Sequence, residues 1–208
     1  MRANRFDERK VSRLGLLACL VALGTFTASA YPPAVGTLGP ARNCLTCHSS
    51  DGPWKDTAGL IIDVLDKASG KSLKQSDGTF LISAKRGELR TVVTVIGWRA
   101  HAAGPAPYRN AWLYVHPKRI SDPSSLNKFA PGWTVNLPMS CRVAGDSVEA
   151  YSGAQLTALP MTVRAGDDAT DAEIELQVML TRGESVKGDA KKGMVGNYFE
   201  RRVSLKVE

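Results

Sequence analysis

The strongest chemical signal in the chain is the run Cys44-Leu45-Thr46-Cys47-His48. Two thiols separated by two residues can each reach one vinyl group of a porphyrin, and the histidine that follows then lies beneath the iron. The spacing therefore predicts one covalently bound haem c. Cys44 and Cys47 would form the thioether bonds, and His48 would be the proximal iron ligand.

Two other kinds of site use a pair of cysteines with this spacing. A redox pair of the thioredoxin type sits at a helix start after a strand, and no such pattern precedes Asn43. A four-cysteine zinc site needs a second pair, which the sequence lacks. Haem attachment is therefore the preferred interpretation.

The N-terminal residues have the pattern of an export signal. Basic residues between Arg2 and Arg13 precede an apolar run over 14–26, and Ala28-Ser29-Ala30 is a small-x-small cleavage pattern. The apolar run is shorter than the roughly 20 residues of a membrane span. We expect a signal peptide over 1–30 that is cleaved, and a periplasmic mature protein without a membrane anchor.

Export changes the charge that the composition indicates. The chain has 27 basic and 20 acidic residues, a net charge of +7, but five basic and two acidic residues lie in 1–30, which leaves +4. This mild excess, together with export, disfavours a nucleic-acid partner. Lys187, Lys191 and Lys192 share a glycine-rich loop, which is either a solvated loop or a docking patch for an acidic redox partner or second subunit.

The second axial ligand decides whether the iron has an open position. With Cys19 removed and two thiols bonded to haem, Cys141 is the thiol left over in an exported chain, so we expect it to be the distal iron ligand. Its neighbour Arg142 could stabilise a thiolate. The runner-up is Met139, which follows a proline, and the α-amino group of a processed Tyr31 is a third candidate.

Five other side chains could bind iron but are expected elsewhere. His101 lies in an Ala-Gly-Pro loop and His116 at a strand end, so both are expected at the surface. Met161 and Met179 fall in apolar runs and are expected in the core. Met194 lies in the glycine- and lysine-rich loop, which has no apolar period.

Most of the chain after the motif has the pattern of short strands separated by turns. Alternating and β-branched runs predict strands over 80–85, 90–98, 111–115, 140–150, 157–163, 172–180 and 198–207. Only 57–67 looks helical. The prediction is a mainly β fold, an immunoglobulin-like β-sandwich body over 71–208, with an N-terminal haem-binding segment over 31–70 that contains a short helix.

Two families resemble this arrangement. Cytochrome f combines an N-terminal Cys-x-x-Cys-His with a β-sandwich, and Tyr31-Pro32 would stand where its iron-binding amino terminus stands. The chain is more similar to the purple monohaem cytochromes c of anammox bacteria and their relatives, through one haem motif, a mainly β body and the single additional Cys141. That resemblance implies His/Cys ligation, a low-potential haem, a heterodimer of related subunits, and binding of nitric oxide or carbon monoxide when reduced.

Two functions follow from these predictions. The first is a periplasmic electron carrier that exchanges electrons with a redox partner protein. The alternative is a gas-binding or gas-sensing haem protein in which reduction weakens the Cys141 bond and a diatomic replaces the thiolate. No catalytic constellation beyond the haem is evident in the sequence, so an enzyme is not expected.

Overall fold

The computed structural model describes residues 43–46, 48–123, 128–182 and 195–208. Contacts between Cα atoms divide the chain into the units Met1–Tyr31 and Pro32–Glu208, and every described residue belongs to the second. The predicted signal peptide, Tyr31, Cys47, the loop lysines and Met194 lie outside the described residues. Within the described ranges, no helix is long and apolar enough to cross a membrane.

In the part of the chain that the structure describes, nine strands form two sheets. The four-stranded sheet has the order β1-β3-β7-β5, and the five-stranded sheet has the order β2-β9-β8-β4-β6. All pairings are antiparallel except that of β2 with β9. The strands are β1 (Leu60–Asp66), β2 (Phe80–Ala84), β3 (Leu89–Trp98), β4 (Arg109–Val115), β5 (Trp133–Asn136), β6 (Met139–Val143), β7 (Gln155–Ala165), β8 (Ala172–Thr181) and β9 (Gly196–Val207).

The core lies between the two sheets. Ile62, Val64, Val92 and Ile96 from the four-stranded sheet join Trp112, Tyr114, Leu176, Val178 and Val203 from the five-stranded sheet in one buried cluster. Successive side chains in a strand point to opposite faces, so each strand contributes every second residue to this layer. The predicted β-sandwich is confirmed, with the two-layer architecture of immunoglobulin-like domains.

The predicted helix over 57–67 is wrong, because residues Leu60–Asp66 form strand β1. Ile62 and Val64 face the main core, whereas Ile61 and Leu65 join a second buried cluster on the other face of the sheet. A strand buried on both faces has a continuous apolar run, which helical spacing also fits. The β-branched residues favour the strand. The described helical structure in 31–70 is a 3-10 turn at Cys44–Thr46.

The other predicted strands are present with shifted ends, and two differences matter. The prediction over 140–150 is too long, since β6 is Met139–Val143 and a 3-10 turn follows at Glu149–Tyr151. The short strand β5, Trp133–Asn136, was not predicted. Strand β1 also places residues of the predicted haem-binding segment inside the sandwich.

Candidate haem site

The Cys-x-x-Cys-His motif begins in a tight turn that lies against strand β8. Residues Cys44–Thr46 form the 3-10 turn, and the His48 amide donates to the Cys44 carbonyl at 3.0 Å. The turn packs on β8 of the five-stranded sheet. Burial raises the pKa of Tyr198 on β9, the hydrogen bond and charge of Glu200 raise it further, and the nearby Cys44 adds to this effect. The motif therefore lies over the β8–β9 part of this sheet.

The residues after the motif fix it to the first residues of β9. The Gly52 amide donates to the Gly196 carbonyl at 2.7 Å, and the Gly196 amide donates to the Ser49 carbonyl at 3.0 Å. A methyl group on Gly52 would come within 2.7 Å of Asn197 Oδ1, so only glycine permits this approach. Trp54, fully buried in the core, donates from its backbone to Asn197 Oδ1 at 2.8 Å.

The motif occupies the face of the five-stranded sheet that points away from the core, here called the outer face. In β8 and β4 the core residues are Val178, Leu180, Trp112 and Tyr114; the residues between them point to the outer face. This face is nevertheless well covered. Buried side chains on it are Gln177, Met179, Ala111, Leu113 and Val115.

Cys141 lies on this same outer face. It is directly opposite Ala111, which is opposite Met179, which in turn is opposite Tyr198. Residues directly opposite one another in a sheet project to the same side, so these four form one line across four strands, the Cys141 row. With strands about 4.8 Å apart, Cys141 lies about 14 Å along the row from Tyr198.

The cation beside the Cys141 thiol is Arg109, and the sequence-based expectation of Arg142 is wrong. Burial raises the pKa of the Cys141 thiol, and the charge and hydrogen bond of Arg109 oppose that effect. Arg142 instead forms an ion pair with Asp146 at 3.1 Å. As the next residue along β6, Arg142 points to the opposite side of the sheet from Cys141.

The other candidate ligands are distributed as follows. Met139 is opposite Leu113 and so shares the outer face with Cys141, but its row passes through Gln177 and Glu200 rather than Tyr198. Met161 is in the core as predicted. Met179 is buried as predicted, yet it lies on the outer face in the Cys141 row. Its sulfur would contact a methyl group placed on Gly196 at 2.6 Å, which puts it beside the segment that follows His48.

Both histidines outside the motif lie away from this row. His101 is exposed and lines a cavity of about 430 Å³ together with Arg99 and Tyr151. His116 is at the end of β4 and half-buried, and its Nδ1 accepts from the Lys118 amide at 3.3 Å. Burial lowers the pKa of His116. The expected surface position is confirmed for His101, and the strand-end position for His116.

The residues on the outer face fit a haem. Met179, Leu113, Ala111 and Val115 provide buried apolar surface, and imidazole and thiolate are both ligands that haem iron accepts. The Gln177 amide is fully buried, and neither its Nε2 nor its Oε1 has a hydrogen-bond partner. An unpaired buried amide costs about 1–3 kcal/mol, so Gln177 is an unsatisfied polar group on the face that carries the motif. Among the described residues, which exclude Cys47, no three His, Cys, Asp or Glu side chains form a metal cluster.

Arg109 and Gln177 were missed by sequence reasoning. Each sits in a strand distant in sequence from the motif and from Cys141, and only the register of β4, β6 and β8 brings them to one face. The alternation within each strand was visible, but the partner of each strand was not. Trp54 and Gly52 were also missed, although a tryptophan and a glycine soon after the motif are the kinds of residue that anchor a segment.

Comparisons with known proteins give little similarity. No protein-family model matches the chain, and no curated protein matches it. Among solved structures, a cohesin module from a Clostridium perfringens family 33 glycoside hydrolase is similar, with 13% sequence identity and a TM-score of 0.32, over 72% of this chain and 97% of that chain. These comparisons assign the chain to no family.

Proposed function

We propose that this protein is a periplasmic monohaem c-type cytochrome that carries electrons. Cys44 and Cys47 hold haem c by thioether bonds, His48 is the proximal ligand and Cys141 is the distal ligand. The observation that carries the proposal is that the motif and Cys141 share the outer face of one sheet, linked by the Cys141 row. Bound there, the haem supplies a one-electron iron couple.

The residues around the site have distinct tasks in this proposal. Met179, Leu113 and Ala111 would keep water away from a haem bound on this face, which would keep the local dielectric low. Gln177 offers a buried amide to a polar group of the haem. Ser49 and Gly52, bonded to Gly196, hold the backbone that carries His48. A redox partner protein, and a dimer with a related subunit, are part of the proposal.

Covalent attachment is the first test. We would express the full chain in a host that matures c-type cytochromes, then measure the mass of the mature protein and its haem absorption after denaturation. One haem should remain bound in the native sequence and be lost in the Cys44→Ala/Cys47→Ala variant. A native chain that reaches the periplasm of that host without covalent haem would contradict the proposal.

The distal ligand is tested by two variants on the same strand and the same face. The ferric protein should give a low-spin electron paramagnetic resonance spectrum of the His/thiolate type. Cys141→Ala should abolish that spectrum, whereas Met139→Leu should preserve it. The opposite result would make Met139 the ligand. If neither variant changes the spectrum, the amino group of Tyr31 becomes the candidate, to be tested by extending the mature N-terminus by one residue.

Carbon monoxide separates the two functions that the sequence predicts. An electron carrier keeps both axial ligands on reduction, so the absorption spectrum of the ferrous protein should be unchanged by the gas. A gas-binding protein should show a shifted Soret band that saturates with one carbon monoxide per haem.

A further inference from the structure

Arg109 is the residue that the sheet register places next to Cys141. Arg109 is opposite Val143, and Ala111 is opposite Cys141, on the same antiparallel pair of strands. Arg109 and Cys141 are therefore diagonal neighbours on the outer face, a spacing of about 7–8 Å between backbones that long side chains cross. This placement agrees with the electrostatics of the thiol: burial raises the pKa of Cys141, and the charge and hydrogen bonding of Arg109 lower it.

The surroundings of Arg109 hold its guanidinium in place. The group lies over the ring of Tyr108, 5.9 Å from the ring centre, where a cation is attracted to the aromatic face. Its Nε is buried and has no hydrogen-bond partner. No carboxylate forms an ion pair with Arg109 among the described residues, so no neighbouring acid there neutralises its charge.

We propose that Arg109 is a positioning residue for the distal ligand: its guanidinium donates a hydrogen bond to the sulfur of Cys141 and so sets the strength of the sulfur–iron bond and the reduction potential. This inference rests on the proposed function. A donor to a ligating sulfur withdraws electron density from it, and hydrogen bonds to ligands are one of the means by which proteins tune an iron centre. The weakened donation favours the ferrous state, so Arg109 raises the potential.

The test compares two arginines in the haem-loaded protein. Arg109→Leu removes the donor, and Arg142→Leu is the matched control because Arg142 is nearby in the sheet but paired with Asp146. We expect Arg109→Leu to shift the ratio of oxidised to reduced protein about tenfold toward oxidised at a fixed potential, equivalent to about 59 mV for one electron. Arg142→Leu should leave the midpoint unchanged.

A second variant covers the case in which Arg109→Leu fails to fold. Arg109→Lys keeps a charge and a donor, and should give a smaller shift in the same direction, with altered ferric resonance parameters and unchanged haem content. A midpoint and a ferric spectrum for both Arg109 variants that match those of Arg142→Leu would overturn the inference. If Cys141→Ala leaves the ferric spectrum unchanged, the ligand assignment itself fails, whereas covalent haem at Cys44 and Cys47 would still stand.

Discussion

Asp66 is held in its ionised form at the end of β1. Its Oδ1 accepts hydrogen bonds from the Ser69 hydroxyl and backbone amide, each at 2.7 Å, and its Oδ2 pairs with Arg90 at 2.6 Å. The Ser69 hydrogen bonds and the Arg90 charge lower the pKa of Asp66. The native state therefore gains stability from this carboxylate above the unfolded pKa of about 3.9, and loses it as the pH falls through the lower folded value.

Replacing Asp66 with asparagine should expose this pH dependence. At pH 7 the free energy of unfolding of the Asp66→Asn variant should be lower by about 1–3 kcal/mol, because hydrogen bonds and an ion pair to a buried charge are lost. The difference should shrink as the pH falls below about 4, where the unfolded chain binds a proton at Asp66, and it should vanish once the pH is below the lower folded pKa. Urea unfolding from pH 7 to pH 2 measures both curves. A difference that stays constant over this range would contradict the assignment.

Single residues differed in how far the sequence could reveal them. Cys44, Cys47 and His48 were found because five consecutive residues carry the whole pattern. The cation beside Cys141 was assigned to Arg142 by nearness in sequence, but alternation in a strand sends adjacent side chains to opposite faces. Arg109, 32 positions away, is the true neighbour. Contacts that depend on strand register are not contained in any local window.

At the scale of elements, the segment that follows the motif lies beside the first residues of β9 and bonds to them as a short edge strand would. Ser49 bridges Val195, and the Tyr198 amide donates to the Ser50 hydroxyl at 3.0 Å. Trp54 then enters the core, and its indole N–H donates to the Pro105 carbonyl at 2.7 Å. The close approach at Gly52 is what allows the backbone bonds to form.

A methyl group at Gly52 should detach this segment. Gly52→Ala would place its Cβ within 2.8 Å of the Gly196 carbonyl oxygen, and we expect a loss of about 1–3 kcal/mol in the free energy of unfolding. Faster hydrogen exchange at the Gly196 amide, which donates to Ser49, would locate the effect. Gly145→Ala is the control, since open space surrounds its added Cβ. Equal effects of the two substitutions would show that Gly52 is not an anchor.

Element type was predictable wherever one face of a strand is solvated or turn residues mark the ends. Strand β2 follows Asp77-Gly78 and was predicted within one residue of its observed end. Strand β1 has helical spacing in the sequence because both of its faces are buried, and burial on both faces removes the alternation that distinguishes a strand. Strand β5 has four residues and lies between Gly132 and Pro138, so its apolar pattern is too short to detect.

For the whole molecule, the sequence predicted a two-layer β fold but not which strands neighbour each other. Strand β9 pairs in parallel with β2 and antiparallel with β8, a combination that no local pattern specifies. Polar groups buried between the sheets also depend on this arrangement. The Asn110 amide on β4 donates to the Ile96 carbonyl on β3 at 2.9 Å, and Thr94 on β3 is 2.7 Å from the Tyr114 hydroxyl on β4.

The Thr94–Tyr114 contact is expected to couple the two sheets. Both side chains are almost completely buried. Tyr114→Phe should lower the free energy of unfolding by about 1–3 kcal/mol, because it leaves the Thr94 hydroxyl unpaired. Thr94→Val should lower it by a similar amount. The double variant replaces both groups with apolar ones of similar shape, so its loss should be clearly smaller than the sum of the two single losses. A double-mutant cycle in urea measures the coupling, and strictly additive losses would contradict it.

Because Tyr114 and Arg109 project from opposite faces of β4, Tyr114→Phe should leave the ferric spectrum unchanged while it lowers the free energy of unfolding. This result would separate the contact between the sheets from the proposed haem site.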